Sequence, residues 1–260
     1  MKDSWESGDP YERFMGRWSR VVGDKFIDWL EAPLDLKWLD VGCGTGALSE
    51  AILARQRPHT LYSIDQSMEF VRSAQERLGD DVICQVGNAM DLPLPDSSFD
   101  LTVSGLVLNF IPEPVRALEE MRRVTIPGGL VAIYIWDYAE GMQFLKYFWD
   151  AVVELDADAA ELHEAMRFPD ANPEGLARIL DGAGLQGYII QTLDIKTNFI
   201  DFDDYWQPFL GGQGPAPTYL ASLDEARCEA VRELLAEKLP VNDDGSIELV
   251  ARAWGAKCEA

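Results

Sequence analysis

Short apolar runs alternate with polar stretches of helical spacing along most of the chain. Residues 36–41, 60–64, 82–86, 101–104 and 129–136 read as five strands. Between them lie a helix over 47–55, a second opened by Ser67 with Phe70, Val71, Ala74 and Leu78 on one side, and a third over 114–124. This alternation is the signature of a mainly parallel sheet with helices on its faces. Further on, Asn172 caps a helix with Pro173 in its first turn, and Leu176, Ile179, Leu180 and Ala183 form its apolar stripe before Gly184 ends it. A sixth strand follows over 187–195. Ser222 and Glu225 then look like a capping box for a helix that runs to Lys238 and stops before Pro240. A seventh strand over 247–254 follows the turn at 242–245. The aromatic-rich stretches 137–172 and 197–222 read as covers over one sheet, so residues 1–260 are expected to form one α/β domain.

Composition narrows the partners. The chain has 260 residues, of which 47% are hydrophobic, enough for a packed core. Forty-five acids against 22 bases leave a net charge of −23, and the bases are scattered. A phosphate backbone is held by clustered Lys and Arg, so nucleic acid and anionic lipid are not expected partners. The first residues lack a basic segment followed by an apolar one, and no run approaches the roughly 18 apolar residues of a membrane span. Cys43, Cys84, Cys228 and Cys258 lie far apart without a C-x-x-C pair. That suits reduced thiols in a cytoplasm and offers no metal cage.

The chemistry concentrates in Asp40-Val-Gly42-Cys43-Gly44-Thr-Gly46-Ala47, placed between a strand and a helix. Glycines at alternating positions permit positive φ and let a ligand approach the backbone. The Gly42-x-Gly44-x-x-Ala47 spacing also fits the dinucleotide fingerprint, whose loop holds a pyrophosphate. Asp40 stands two residues before the first glycine, and no Lys or Arg occurs between Lys37 and Arg55. Such electrostatics repel a diphosphate and favour a ligand with a positive amino group, such as S-adenosyl-L-methionine. Asp65, 19 residues past Gly46 at the end of the second strand, suits the two hydroxyls of a ribose in either cofactor.

With these motifs in order, the chain resembles the class I S-adenosylmethionine-dependent methyltransferases, especially the group with the ubiquinone- and menaquinone-biosynthesis enzymes. The resemblance is strong over about residues 8–136 and looser beyond. It implies a Rossmann-like, mostly parallel seven-stranded sheet with helices on both faces and an antiparallel last strand. Residues 1–35 would cap the cofactor and 36–136 would bind it. Residues 39–46 are similar to the family's first motif, 63–67 to its ribose-binding segment (Asp65, Gln66) and 87–96 to its adenine border (Asn88, Ala89, Met90). Asn88 stands where many members carry Asp. Ser104, Gly105 and Leu106 end the fourth strand beside the cofactor, and the Pro127-Gly-Gly129 turn precedes the fifth. Tyr11 and Arg17 match the N-terminal segment that closes over the cofactor in this group, Arg17 toward the methionine carboxylate. The resemblance also implies an enzyme acting on a small molecule.

No residue stands out as a catalytic base. Asp137 and Tyr138 follow the fifth strand on the catalytic rim, and Tyr205 and Trp206 are the aromatics chosen for the substrate side. Against each stands a plain packing or turn role. Three other readings remain: a tRNA or protein methyltransferase, a dinucleotide-dependent oxidoreductase, and a non-catalytic module that binds S-adenosylmethionine.

Overall fold

The computed structural model describes residues 15–211 and 214–260; Tyr11, of the expected cofactor cap, lies outside them. The strands are β1 (Lys37–Val41), β2 (Thr60–Asp65), β3 (Ile83–Val86), β4 (Phe99–Gly105), β5 (Thr125–Trp136), β6 (Ile189–Phe199) and β7 (Ile247–Glu259). The helices are α1 (Arg17–Leu30), α2 (Ala47–Gln56), α3 (Met68–Leu78), α4 (Pro114–Val124), α5 (Gln143–Leu155), α6 (Glu164–Arg167), α7 (Pro173–Gly182), α8 (Phe202–Trp206), α9 (Pro215–Ala221) and α10 (Glu225–Lys238).

All seven strands join one sheet in the order β3-β2-β1-β4-β5-β7-β6. The pairs β1–β2, β1–β4, β2–β3 and β4–β5 are parallel. Ala260 N–H donates to Gly129 C=O, while Asp137 N–H donates to Arg252 C=O, both at 2.9 Å. Partner numbers therefore fall along one strand as they rise along the other, so β7 runs antiparallel to β5. The expected Rossmann-like sheet is borne out.

Of the three side-chain caps expected, two stand where the sequence placed them. Ser67 accepts Phe70 N–H and Asn172 accepts Gly175 N–H at 2.8 Å, as expected. For α10 the cap is Asp224, which accepts Arg227 N–H at 2.8 Å. The expected capping Ser222 instead donates its hydroxyl to Tyr219 C=O at 2.6 Å, closing the preceding helix.

The chain divides into two compact units. The first, the sheet unit, comprises Ser19–Ile135, Asp170–Leu193 and Ala253–Ala260. Phe26, Ile27, Trp38, Leu39, Ile52 and Leu61 form its interior. The second, the aromatic unit, comprises 15–18, Trp136–Pro169 and Asp194–Arg252 among the described residues. Its interior is built from Phe148, Trp149, Tyr205 and Phe209, with Phe148 and Phe209 stacked at 4.6 Å between centroids.

Candidate functional site

Four neighbouring parallel strands of the sheet unit end on one rim, and the singled-out motifs stand there. Asp40 lies in β1 and the glycine loop links β1 to α2. Asp65 ends β2, Asn88–Met90 follow β3, and Ser104–Leu106 end β4. The strand order places these segments side by side.

The loop backbone is left-handed at Gly42, Gly44 and Gly46. At Gly42 a Cβ would also stand 2.5 Å from Val107 Cγ1, so that position excludes a side chain twice over. At Gly44, φ is +52° but a Cβ would meet open space. Most of the loop's N–H groups point into the protein. Gly42 and Cys43 N–H donate to Ile64 C=O at 2.7 and 3.0 Å, and Gly46 N–H donates to Cys43 C=O at 2.9 Å. Gly44 N–H donates to Asp65 Oδ2 at 3.0 Å. The carbonyl and carboxylate at the end of β2 thus take three of these amides, and the loop itself takes the fourth. A loop built this way has few donors left for a pyrophosphate.

Asp40 is fully buried. Its Oδ2 accepts the Ser49 hydroxyl at 2.6 Å, and Ser49 in turn meets the Ser63 hydroxyl at 2.7 Å. Its Oδ1 is buried without a hydrogen-bond partner. Burial raises its pKa to about 7, with the Asp65 charge adding to the rise and the Ser49 bond opposing it. Asp65 is buried as well, and its Oδ1 accepts Ser67 N–H at 2.8 Å. Burial lifts its pKa despite the backbone bonds from Ser67, Gly44 and Gln66. Burial likewise raises the Cys43 thiol.

Around these acids, Gln66 is exposed. Asn88 Oδ1 accepts Met90 N–H at 2.9 Å, an Asx-type turn, so the side chain expected at the adenine border also shapes its own loop. Arg116 Nε donates to Met90 C=O at 2.8 Å, tying that segment to α4. Ser104 is buried and its hydroxyl has no partner. Gly105 is required where it stands, because a Cβ there would lie 2.6 Å from the Tyr134 hydroxyl.

The other selected residues belong to the aromatic unit. Arg17 Nη1 donates to Asp204 Oδ1 at 3.0 Å, and its guanidinium lies 4.3 Å from the Trp18 ring and 4.8 Å from the Phe199 ring. Asp137 Oδ1 accepts Glu140 N–H at 3.2 Å, and its C=O accepts Gly141 and Met142 N–H, as a turn former does. Tyr138 packs on Phe168 with centroids 4.9 Å apart. Tyr205 is wholly buried and donates its hydroxyl to Phe144 C=O at 2.7 Å. Trp206 is buried against Phe202 and Phe209. The two aromatics chosen for the substrate side are thus interior residues of their unit.

Sequence reading missed Ser49, Ser63 and Val107, whose roles arise from contacts between separate elements. It also passed over Asn109, although an amide inside the apolar run Leu106–Ile111 is a visible anomaly. Among the described residues no group of three or more His, Cys, Asp or Glu side chains is placed to hold a metal, and no helix is long and apolar enough to cross a membrane.

In a parallel sheet whose strand order reverses, ligands bind at the carboxyl ends beside the reversal. With an acid-flanked glycine bend and Asp65 at that point, the sheet unit belongs to the class of Rossmann-like domains that seat a nucleoside cofactor. Residues 39–133 match the family described as methyltransferase domain. The chain is 32% identical over 180 residues to 2-methyl-6-phytyl-1,4-hydroquinone methyltransferase of Synechocystis, covering 68% of this chain and 55% of that protein. It is 36% identical over 118 residues to demethylmenaquinone methyltransferase of Paenarthrobacter aurescens, covering 45% of this chain and 44% of that one. The chain therefore spans about half the length of the curated relatives it matches. Phosphoethanolamine N-methyltransferase 2 of Haemonchus contortus, solved with S-adenosyl-L-methionine, shares the fold with a TM-score of 0.58 and 16% identity, over 96% of this chain and 56% of that one. Residues 39–133 thus carry a methyltransferase domain, and the chain is similar to the methyltransferases just named.

Proposed function

We propose that the protein transfers a methyl group from S-adenosyl-L-methionine to a small, partly apolar or aromatic metabolite. The observation that carries this reading is the hydrogen-bonding state of the glycine loop. Four of its N–H groups donate inward, while the adjacent Asp40 Oδ1 is buried and unpaired. A rim short of donors and holding a spare carboxylate oxygen suits a cation with an amino group better than a diphosphate.

In this reading Asp40 faces the amino group of the methionyl end and Asp65 the ribose hydroxyls. Gln66, Asn88, Ala89 and Met90 border the adenine, and Ser104, Gly105 and Leu106 flank the methionyl chain. Cys43, with Gly42, Gly44 and Gly46, shapes the bend. Tyr11 and Arg17 belong to the N-terminal cap. When bound, the cofactor supplies an electrophilic methyl on a good leaving group. The chain's own task is then to align the acceptor and exclude water. A base is required only for an acceptor that must lose a proton.

The relatives named for hydroquinone and menaquinone substrates support an apolar, cyclic acceptor. The charge of −23 favours a small molecule over nucleic acid or a membrane surface, and four free thiols suit a cytoplasmic setting. Asp137 and Tyr138, which follow β5, are the proposed substrate-side residues, and the buried Tyr205 and Trp206 act as scaffold. Isothermal titration should give heat with S-adenosyl-L-methionine and none with NAD; the opposite pattern overturns the reading. Release of S-adenosylhomocysteine across a panel of small aromatic acceptors tests turnover.

A further inference from the structure

Resting on that reading, we infer that Asn109 determines acceptor specificity, its amide holding a neutral oxygen group, hydroxyl or carbonyl, of the methyl acceptor. After β4 ends, Leu106 takes a left-handed φ of +60° and donates its N–H to Tyr134 C=O at 2.8 Å. A leucine avoids that conformation unless its surroundings impose it, and such residues cluster at functional sites. Val107 then packs directly on the first glycine of the loop, where its Cγ1 would stand 2.5 Å from a Cβ.

Asn109 follows two residues later, in a single 3-10 turn (Leu108–Phe110). Both of its amide atoms, Oδ1 and Nδ2, are buried without a partner. Ser104 Oγ, five residues upstream on the same rim segment, is in the same state. Buried amides almost always find partners, and here two unpartnered amide atoms and the Ser104 hydroxyl fall on one segment after β4, beside the strained Leu106. The segment from Ser104 to Asn109 thus offers both donors and acceptors, and none of them is charged. Such a set matches a hydroxyl or carbonyl. An ammonium or carboxylate would be poorly compensated by it.

The test uses the full chain, first saturated with S-adenosylhomocysteine. Ligand-observed NMR then measures binding of 1-naphthol and 1-indanone against naphthalene and indane, which lack the oxygen. The wild-type complex should prefer each oxygenated probe by about tenfold, the scale of one buried hydrogen bond. Asn109→Leu should lose both preferences. Asn109→Asp, which keeps the shape but only accepts, should keep the preference for 1-naphthol and lose that for 1-indanone. S-adenosylhomocysteine affinity should stay within about twofold throughout, since the amide serves the acceptor.

A wild-type complex without preference, or preferences that survive in both variants, overturns the inference. So does a loss of S-adenosylhomocysteine affinity in Asn109→Leu, which would assign the amide to the cofactor. If Asn109→Leu fails to fold, the crossed response of Asn109→Asp decides alone. Failure of the wild-type chain to bind S-adenosylhomocysteine would instead strike the underlying functional reading.

Discussion

Two regions of this molecule bury polar groups in different settings. The rim of the sheet unit keeps a left-handed leucine, a buried acid with one idle oxygen, and a serine and an asparagine without partners. In the aromatic unit the rings of Tyr205, Trp206, Phe148 and Phe209 are buried and the Tyr205 hydroxyl is satisfied by Phe144, while Trp149 Nε1 and Thr197 Oγ1 are buried without a partner. Dense aromatics mark a finished interior as readily as a pocket. Buried atoms without partners occur in both units, and what sets the rim apart is that they coincide there with a strained backbone at the ends of parallel strands.

Substitutions can break that contrast. Trp206→Ala should cost about 3–5 kcal/mol of stability by opening a cavity and leave cofactor affinity unchanged in the folded fraction. A denaturant titration paired with calorimetry checks it, and a selective loss of affinity would return Trp206 to the site. Gly42→Ala should cost about 2–5 kcal/mol through left-handed strain and collision with Val107. Gly44→Ala, strained but facing open space, should cost only about 1–2 kcal/mol. Equal effects in thermal melts would show that Val107 yields.

Asp65→Ala should weaken S-adenosyl-L-methionine binding by about 1–3 kcal/mol, the scale of hydrogen-bonding partners left unmet. Unchanged affinity would remove the ribose assignment. The contrast sharpens with pH at Asp40, whose pKa of about 7 in the fold lies above its ordinary 3.8. The folded chain binds the extra proton between those values, so stability of the free protein should decline as pH rises from about 4 to about 7. A cationic ligand prefers the ionised acid, so its affinity should rise about tenfold from pH 6 to pH 8. Asp40→Asn should flatten both trends, in melts and in titrations. The smallest effect is expected for Tyr205→Phe: about 1 kcal/mol of stability from one lost hydrogen bond, with cofactor binding untouched.

Much of the sheet unit was legible because its strands are buried apolar runs between helices whose caps, Ser67 and Asn172, act locally. The glycine spacing and the acid at the end of β2 were legible for the same reason. The inward turn of the loop amides was not, since their acceptors, Ile64 C=O and Asp65, lie about twenty residues away and meet the loop only through β1–β2 pairing. The spare oxygen of Asp40 depends on Ser49 and Ser63 arriving from two other elements. For α10, Ser222 and Asp224 both have capping chemistry, and only the backbone path selects Asp224. At Tyr205 and Trp206 the sequence had no means of separating an interior ring from one facing a ligand.

The strand order has a consequence for how the chain is made. β6 sits at the margin of the sheet and its one neighbour there is β7. When residues 189–199 leave the ribosome, the segment that will clasp them, 247–259, has not yet been translated. Until it arrives, β6 is a ribbon without a mate and the outer edge of β5 is bare, the kind of open margin that recruits the wrong neighbour. Vulnerability to aggregation should therefore peak between the emergence of β6 and that of β7, and end when β7 slips in between.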